Sequence, residues 1–187
     1  MLVFLGKLFI LFYFFVFMVV FCFNDDVSVS DINFVLRLSD EVFGLDKDPS
    51  QYNPSLNEFL EFHKNFPFSF CVFRKDNKIV GFVTAVPCSF PLMGGFLSGE
   101  ISESVLVNSA QQELKKSSFD ALYLMGAYIA EDYRRQGFVK DAFSKIISFY
   151  KNENENLFLF AWPLSSAGLA LCNSLADEFV LKFKFRT

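Results

Sequence analysis

The sequence predicts a mixed α/β (α+β) fold, in which a mostly antiparallel sheet carries helices on both faces. Three observations support this fold class. The 187 residues favour one domain with a substantial core. Hydrophobic residues make up 52% of the chain, which excludes disorder for most of its length. Segments with helical spacing alternate along the chain with short apolar runs that polar turns bound.

The N-terminal segment allows two interpretations. Residues 8–23 are wholly apolar and follow Lys7, which is typical of a signal sequence or a short membrane anchor. The run is shorter than the roughly 20 residues that a spanning helix needs, and its second half is rich in β-forming residues. We therefore predict an edge strand at about residues 17–23 of a domain that spans residues 17–187. The preceding residues 1–16 are then an apolar extension that can contact a membrane.

Two amphipathic helices are predicted next. Ser30 or Asp31 can cap the first helix, whose apolar face ends at Gly44. Ser55 and Glu58 form the S-x-x-E pattern of a capping box at the start of the second helix.

A hairpin follows these helices. Residues 68–73 and 79–86 are apolar, β-rich runs joined by a polar turn, which predicts two antiparallel neighbours. The pattern of residues 87–120 is mixed, with a double-glycine break and an acidic stretch, and we interpret this segment as an insertion.

The second half of the chain predicts a strand, a helix and a strand. Residues 121–129 and 157–162 are strand-length apolar runs, and a helix that begins at Phe138 connects them as parallel neighbours. A short helix follows. A closing strand is predicted at residues 179–186, where large apolar residues alternate with mostly polar ones.

The composition excludes several classes of protein. The net charge of -4 and the pI near 5.0 would repel a nucleic-acid backbone, so no nucleic-acid partner is predicted. The chain has one histidine and four cysteines without any Cys-x-x-Cys spacing. This argues against a zinc site and against a disulfide framework, and no metal is predicted.

A basic loop at residues 133–140 carries the clearest chemical signal. It contains Gly137 and leads into the helix at Phe138. Backbone N–H groups and the helix dipole attract phosphate at such a helix start, and Arg134 and Arg135 add positive charge. The loop is therefore expected to bind an anion.

The segment around this loop, LYLMGAYIAEDYRRQGFVKDAFSKII, resembles the acyl-CoA-binding segment of the GNAT superfamily of N-acyltransferases. The family pattern has Arg or Gln, then Gly three residues later, then Gly or Ala two residues after that. Arg134 and Gly137 match it, whereas Val139 stands at the third position. The order of predicted elements is also similar to that of the family from about residue 17 to the C-terminus.

The resemblance implies an N-acetyltransferase that transfers an acetyl group from acetyl-CoA, its co-substrate, to a primary amine. It implies that backbone amides in residues 136–140 hold the pyrophosphate of coenzyme A, and that the backbone of Tyr128 and Ile129 orients the pantetheine. The cofactor-binding residues expected on this basis are Tyr128, Ile129, Arg134, Arg135, Gln136, Gly137, Phe138, Val139 and Lys140.

Three residues are candidates for catalysis. Glu100 and Glu103 precede the central strand and can contact a cationic amine. The resemblance implies a tyrosine early in the last helix that protonates the leaving thiolate, and this sequence has Cys172 there. A thiol with an ordinary pKa of about 8.5 can donate a proton, so Cys172 is the third candidate.

Two alternatives to an enzyme stay open. A degenerate acyl-CoA-binding module without turnover is favoured by Val139 and by the missing tyrosine. A membrane-anchored interaction protein is favoured by residues 1–23 alone. The enzyme hypothesis predicts a cytoplasmic location, because an exported domain would lack acetyl-CoA.

Overall fold

Six strands form one sheet within residues 19–113 and 119–186, which the computed structural model describes. The elements in chain order are β1 Val20–Phe23, α1 Val29–Phe43, α2 Leu56–Asn65, β2 Phe70–Lys75, β3 Lys78–Cys88, α3 Phe90–Leu97, α4 Glu103–Glu113, β4 Ala121–Ile129, α5 Phe138–Glu153, β5 Phe158–Ala161, α6 Ser166–Phe179 and β6 Phe183–Phe185.

The strands lie side by side in the order of the chain, from β1 to β6. Neighbours from β1 to β4 are antiparallel, whereas β4, β5 and β6 run parallel. Helices α1 to α4 pack on one side of the sheet, called here the first face, and α5 and α6 pack on the other, the second face. The predicted mostly antiparallel sheet with helices on both faces is confirmed, as are the parallel neighbours joined by α5.

The edge strand β1 confirms the prediction for residues 20–23, which pair with β2. Residues 1–18 lie outside the described residues, so the extension at residues 1–16 and the domain boundary at residue 17 stay predictions. No helix in the described ranges combines the length and apolar character that crossing a membrane requires.

The helix ends follow the local sequence, with one correction. Ser28 caps α1, whereas the predicted cap was Ser30 or Asp31. Asp31 is instead the third residue of the capping box, and its carboxylate accepts a hydrogen bond from the Ser28 N–H at 2.7 Å. The capping box of Ser55 and Glu58 on α2 is confirmed.

The prediction of an insertion at residues 87–120 is wrong for its described part. Strand β3 continues to Cys88, and both α3 and α4 pack into the core of the first face. Helix α3 has no amphipathic pattern and contains two glycines, so periodicity could not reveal it. Its fully buried Phe96 contacts the rings of Tyr123 and Trp162. Residues 114–118 lie outside the described residues.

The closing strand is shorter than predicted. Helix α6 continues to Phe179, and Val180 ends it in the left-handed conformation with φ of 53°. The strand β6 therefore covers Phe183–Phe185 only. The alternation of apolar and polar residues that predicts a strand from residue 179 begins at the last residue of a helix.

Candidate active site

Strands β4 and β5 pair over only part of their length. Ala121 to Leu124 lie beside Phe158 to Ala161, where β5 ends. Strand β4 continues to Ile129, so residues 125–129 have a strand partner in β3 alone. The two parallel strands therefore separate and leave one edge of β4 open.

A β-bulge lies where the strands separate. Thr84 of β3 is opposite Gly126, and the next residue, Ala85, is opposite Leu124. Met125 is thus an extra residue on β4. Such a bulge bends the strand and increases its local twist, which turns the second half of β4 away from β5.

The register of β4 determines which backbone groups reach the open edge. The N–H of Ala130 donates to the carbonyl of Val80 at 2.8 Å. Because hydrogen-bonded and non-bonded pairs alternate in an antiparallel ladder, Tyr128 also faces β3. Ala127 and Ile129 consequently direct their N–H and C=O groups to the open edge. Ala127 was not among the predicted residues, because its position depends on the bulge.

Tyr128 and Ile129 differ in what they offer at this edge. The ring of Tyr128 stacks on Phe82 with 6.2 Å between the ring centroids, on the first face. The carbonyl of Ile129 accepts a hydrogen bond from Arg134 Nε at 3.2 Å. The N–H of Ile129 and both backbone groups of Ala127 are therefore the polar groups that this edge presents to a ligand.

The start of α5 presents a row of backbone N–H groups. Gly137 is the N-cap residue with φ of 87°, and no side chain caps the helix. The first intrahelical bond runs from the Asp141 N–H to the Gly137 carbonyl at 2.9 Å. The preceding N–H groups, those of Phe138, Val139 and Lys140, have no acceptor within the helix and can bind an anion.

The side chains around this helix start have different partners. Arg134 and Arg135 are exposed, and Arg135 has φ of 61°. Gln136 donates from its side-chain amide to a backbone carbonyl of the same loop at 3.0 Å. Lys140 forms an ion pair with Glu178 of α6 at 3.0 Å, so its charge is partly neutralised.

Val139 and Phe138 point to the core of the second face. Both are half-buried and pack against its buried residues. The ring of Phe138 also contacts that of Phe21, with centroids 6.3 Å apart. Because the Val139 side chain packs on the core, the N–H groups of this turn stay open to a ligand.

A cleft of about 200 Å³ crosses the sheet at the separation of β4 and β5. It reaches Phe82 and Tyr52 on the first face and Phe143 and Cys172 on the second. Residues 124–127 of β4 form its middle. A molecule bound at the open edge of β4 can therefore react with a second molecule that enters the cleft from one face of the sheet.

Glu103 is the carboxylate of this cleft. It is the first residue of α4 and is buried. Its Oε1 accepts a hydrogen bond from the Tyr123 hydroxyl at 2.5 Å, and its Oε2 accepts one from the Tyr52 N–H at 2.8 Å. Burial raises the pKa of Glu103, and the two hydrogen bonds only partly oppose this. Such a carboxylate takes up a proton more readily than an exposed one.

The family of this protein follows from its match to a protein-family model. A model described as the acetyltransferase (GNAT) family matches residues 33–167, which is more than half of the chain. The chain belongs to this family. It is a GNAT N-acetyltransferase that uses acetyl-CoA as its co-substrate. None of the curated proteins compared with it matches.

Solved structures of acetyltransferases share this fold. A diaminobutyrate acetyltransferase from Paenibacillus lautus, in complex with L-2,4-diaminobutyric acid and coenzyme A, is similar with a TM-score of 0.54 and 17% identity, over 87% of this chain and 76% of that one. Naa20 from Chaetomium thermophilum, in complex with a bisubstrate analogue, is similar with a TM-score of 0.51 and 14% identity, over 84% of this chain and 69% of that one.

Cys172 of this GNAT acetyltransferase lies on α6 and lines the cleft. Burial raises the pKa of Cys172 to about 11. The thiol is therefore protonated at neutral pH and can donate a hydrogen bond. Complete proton transfer to a thiolate whose conjugate thiol has a pKa of about 8.5 is uphill from such a donor.

Two of the three residues that were predicted as candidates for catalysis lie in the same cleft of the acetyltransferase. Glu103 and Cys172 line one cleft. Glu100 is exposed in the turn between α3 and α4 and does not line it. Tyr123, the hydrogen-bond partner of Glu103, is not among the residues predicted from the sequence. No local sequence signal connects these two residues, because the contact forms between a helix and a strand.

Proposed function

We propose that this acetyltransferase transfers the acetyl group of acetyl-CoA to a primary amine that enters the cleft from the first face. The cleft at the separation of β4 and β5 carries the proposal. It connects the open edge of β4 with the buried carboxylate of Glu103. Positioning of this kind supplies much of the rate enhancement when two bound reactants must meet.

The co-substrate is proposed to lie along the open edge of β4 and the start of α5. The N–H groups of residues 137–140 would bind its pyrophosphate, and Arg134 and Arg135 would add long-range attraction. The N–H of Ile129 and the backbone of Ala127 would bind the pantetheine. The free hydrogen-bonding groups at both places support this arrangement.

Glu103 is proposed to accept the proton of the amine, directly or through one water. The amine nitrogen forms a bond to the thioester carbon, and the bond from that carbon to sulfur breaks. The amine proton passes to Glu103, and the sulfur leaves as a thiolate. Cys172 donates a hydrogen bond to this thiolate, which takes its proton from solvent. The placement of both side chains in one cleft supports these roles.

The proposal is tested with purified protein, acetyl-CoA and a panel of amines. Calorimetry measures acetyl-CoA binding, and the release of free thiol measures turnover. Binding together with amine-dependent thiol release is the expected result. Binding without turnover on any amine would identify a degenerate acyl-CoA-binding module, for which Cys172 at the tyrosine position is the favouring observation.

The proposed location is the cytoplasm, since the reaction needs acetyl-CoA. A reporter fused to the C-terminus tests this. We expect a C-terminal reporter that functions only in the cytoplasm to be active. A reporter that is active only outside the cytoplasm would contradict both the location and the enzyme hypothesis.

A further inference from the structure

The described side chains that line the cleft include a carboxylate and no cationic group. Glu103 is the one carboxylate among the side chains that line it, and no lysine, arginine or histidine of the described residues lines it. The other polar side chains that line it on the first face are neutral hydroxyls and an amide, those of Ser39, Gln51, Tyr52, Thr84 and Tyr123. A ligand there meets one anionic group and no cation.

The rest of the first-face wall is apolar and largely aromatic. It comes from α1, α2, β3, β4 and the residue that follows β5. All of these wall residues are buried or half-buried, and the main ones are Leu36, Phe43, Phe59, Phe82, Met125 and Trp162.

The cation whose charge acts on Glu103, Arg186, does not line the cleft. The guanidinium of Arg186 lies over the rings of Phe96 and Trp162, at 4.4 and 4.6 Å from their centroids. It also donates to the carbonyl of Ile101 at 3.4 Å. Arg186 influences the pKa of Glu103 through space, but its own bonds hold it behind the wall.

This arrangement limits the charge that an acceptor can carry. The reacting amine can contact Glu103, whose oxygens retain lone pairs beyond the bonds from Tyr123 and Tyr52. A carboxylate on the acceptor would lose its hydration without gaining a cationic partner, and a second ammonium group would be desolvated against aromatic and aliphatic carbon.

We infer, on the basis of the proposed function, that the acceptor is a monoamine whose amine is attached to an uncharged, apolar group. Free arylalkyl amines and the N-terminus of a peptide with an apolar first residue share this chemistry. Free amino acids and diamines do not.

Matched amines test the inference through kcat/KM. Phenethylamine and phenylalanine differ by a carboxylate, and hexylamine and 1,6-diaminohexane differ by a second amine. The member of each pair that lacks the additional charged group is expected to react at least about 10-fold faster, since a buried charge without a partner is strongly rejected. Phenylalaninamide, which imitates a peptide N-terminus, distinguishes the two sources. A higher kcat/KM than that of phenethylamine would favour a peptide, and a lower one a free amine.

Two results would overturn the inference and leave the proposed function intact. The first is equal or faster turnover of the member of either pair that carries the additional charged group. The second is acetylation of amines outside these pairs and of none within them. Failure to bind acetyl-CoA would instead contradict the proposed function itself.

A charge introduced into the wall gives a second test. Ser39 is half-buried on α1 and lines the cleft, and Ser39→Lys would supply the missing cation. Relative to the neutral, polar control Ser39→Gln, it is expected to raise the kcat/KM ratio of phenylalanine over phenethylamine about 10-fold. An unchanged ratio would contradict the placement of the acceptor at this wall.

Discussion

Glu103 combines burial with two hydrogen bonds from tyrosine residues, and this combination makes its protonation state sensitive to its surroundings. Its raised pKa means that the carboxylate, the form that accepts a proton, is lost when the pH falls through a value above that of an ordinary glutamate. On the proposed mechanism, this one residue sets an acid limit for activity.

The pH dependence of kcat/KM tests the role of Glu103. The native enzyme is expected to lose activity below the raised pKa of Glu103. Glu103→Gln keeps the size of the side chain but cannot accept the proton, and is expected to lower kcat/KM about 100-fold and to remove this acid limb. Retention of the same limb in the variant would assign it to another group.

The role proposed for Cys172 is narrower, because its pKa of about 11 keeps the thiol protonated. Cys172→Ala is expected to lower kcat about 10-fold through loss of the hydrogen bond to the thiolate. Cys172→Ser, the matched control, retains a donor of similar size and is expected to stay within about twofold of the native kcat. Steady-state kinetics with saturating acetyl-CoA measure both, and equal losses in the two variants would show that no donor is needed.

At the scale of elements, the start of α5 depends on Gly137. Its φ of 87° is strained for a residue with a branched Cβ, so Gly137→Val is expected to destabilise the fold by about 1 to 3 kcal/mol. It is also expected to weaken acetyl-CoA binding at least about 10-fold, because the backbone must approach the pyrophosphate closely. Urea unfolding and calorimetry measure the two effects.

Gly94 provides the control for this prediction. It is exposed on α3, and an added Cβ would contact nothing within 4 Å. Gly94→Ala is expected to stabilise the helix by about 0.5 to 1 kcal/mol and to leave acetyl-CoA binding unchanged. Binding that falls equally in both variants would argue against a specific role of Gly137.

The elements that are proposed to bind the co-substrate could be predicted from the sequence. The bounds 121–129 for β4 and the start of α5 at Phe138 agree with the structure, because apolar runs and helical spacing are local signals. The open edge could not be predicted. It requires the end of β5 at Ala161 and the bulge at Met125, and both depend on how strands meet in the sheet.

The part of the cleft that is proposed to bind the acceptor was harder to predict from the sequence, for a related reason. Helix α3 has Pro91 in its first turn and is apolar around its circumference, so neither periodicity nor composition identified it. Helix α3 packs against Tyr123, and the hydroxyl of Tyr123 donates a hydrogen bond to Glu103. The contacts that make Glu103 chemically distinctive are tertiary, and a single sequence does not encode them in any short pattern.

For the whole molecule, Glu103 also connects pH with stability. Its pKa is raised in the folded state, so the folded protein binds the proton more tightly than the unfolded chain. The stabilising contribution of this proton is fully present below the unfolded pKa of about 4.3 and is lost as the pH rises through the folded pKa. Ionised Glu103 therefore lowers the free energy of unfolding at neutral pH.

Urea unfolding of the native protein and of Glu103→Gln between pH 4 and pH 8 tests this linkage. The difference in free energy of unfolding between the two proteins is expected to change with pH, and the variant is expected to gain in relative stability as the pH rises. A difference that is constant over this range would mean that the pKa of Glu103 is the same in the folded and unfolded states.

If the co-substrate binds as proposed, the unpaired edge of β4 leaves the sheet incomplete until it does so. The amide protons of Ala127 and Ile129 have no strand partner, so they should exchange with deuterated solvent faster than those of Tyr128 and Gly126. A pantetheine bound along this edge would act as a temporary seventh strand and slow their exchange. Acetyl-CoA would then be a structural component of the sheet, and its concentration would help to determine how much of the enzyme is fully ordered.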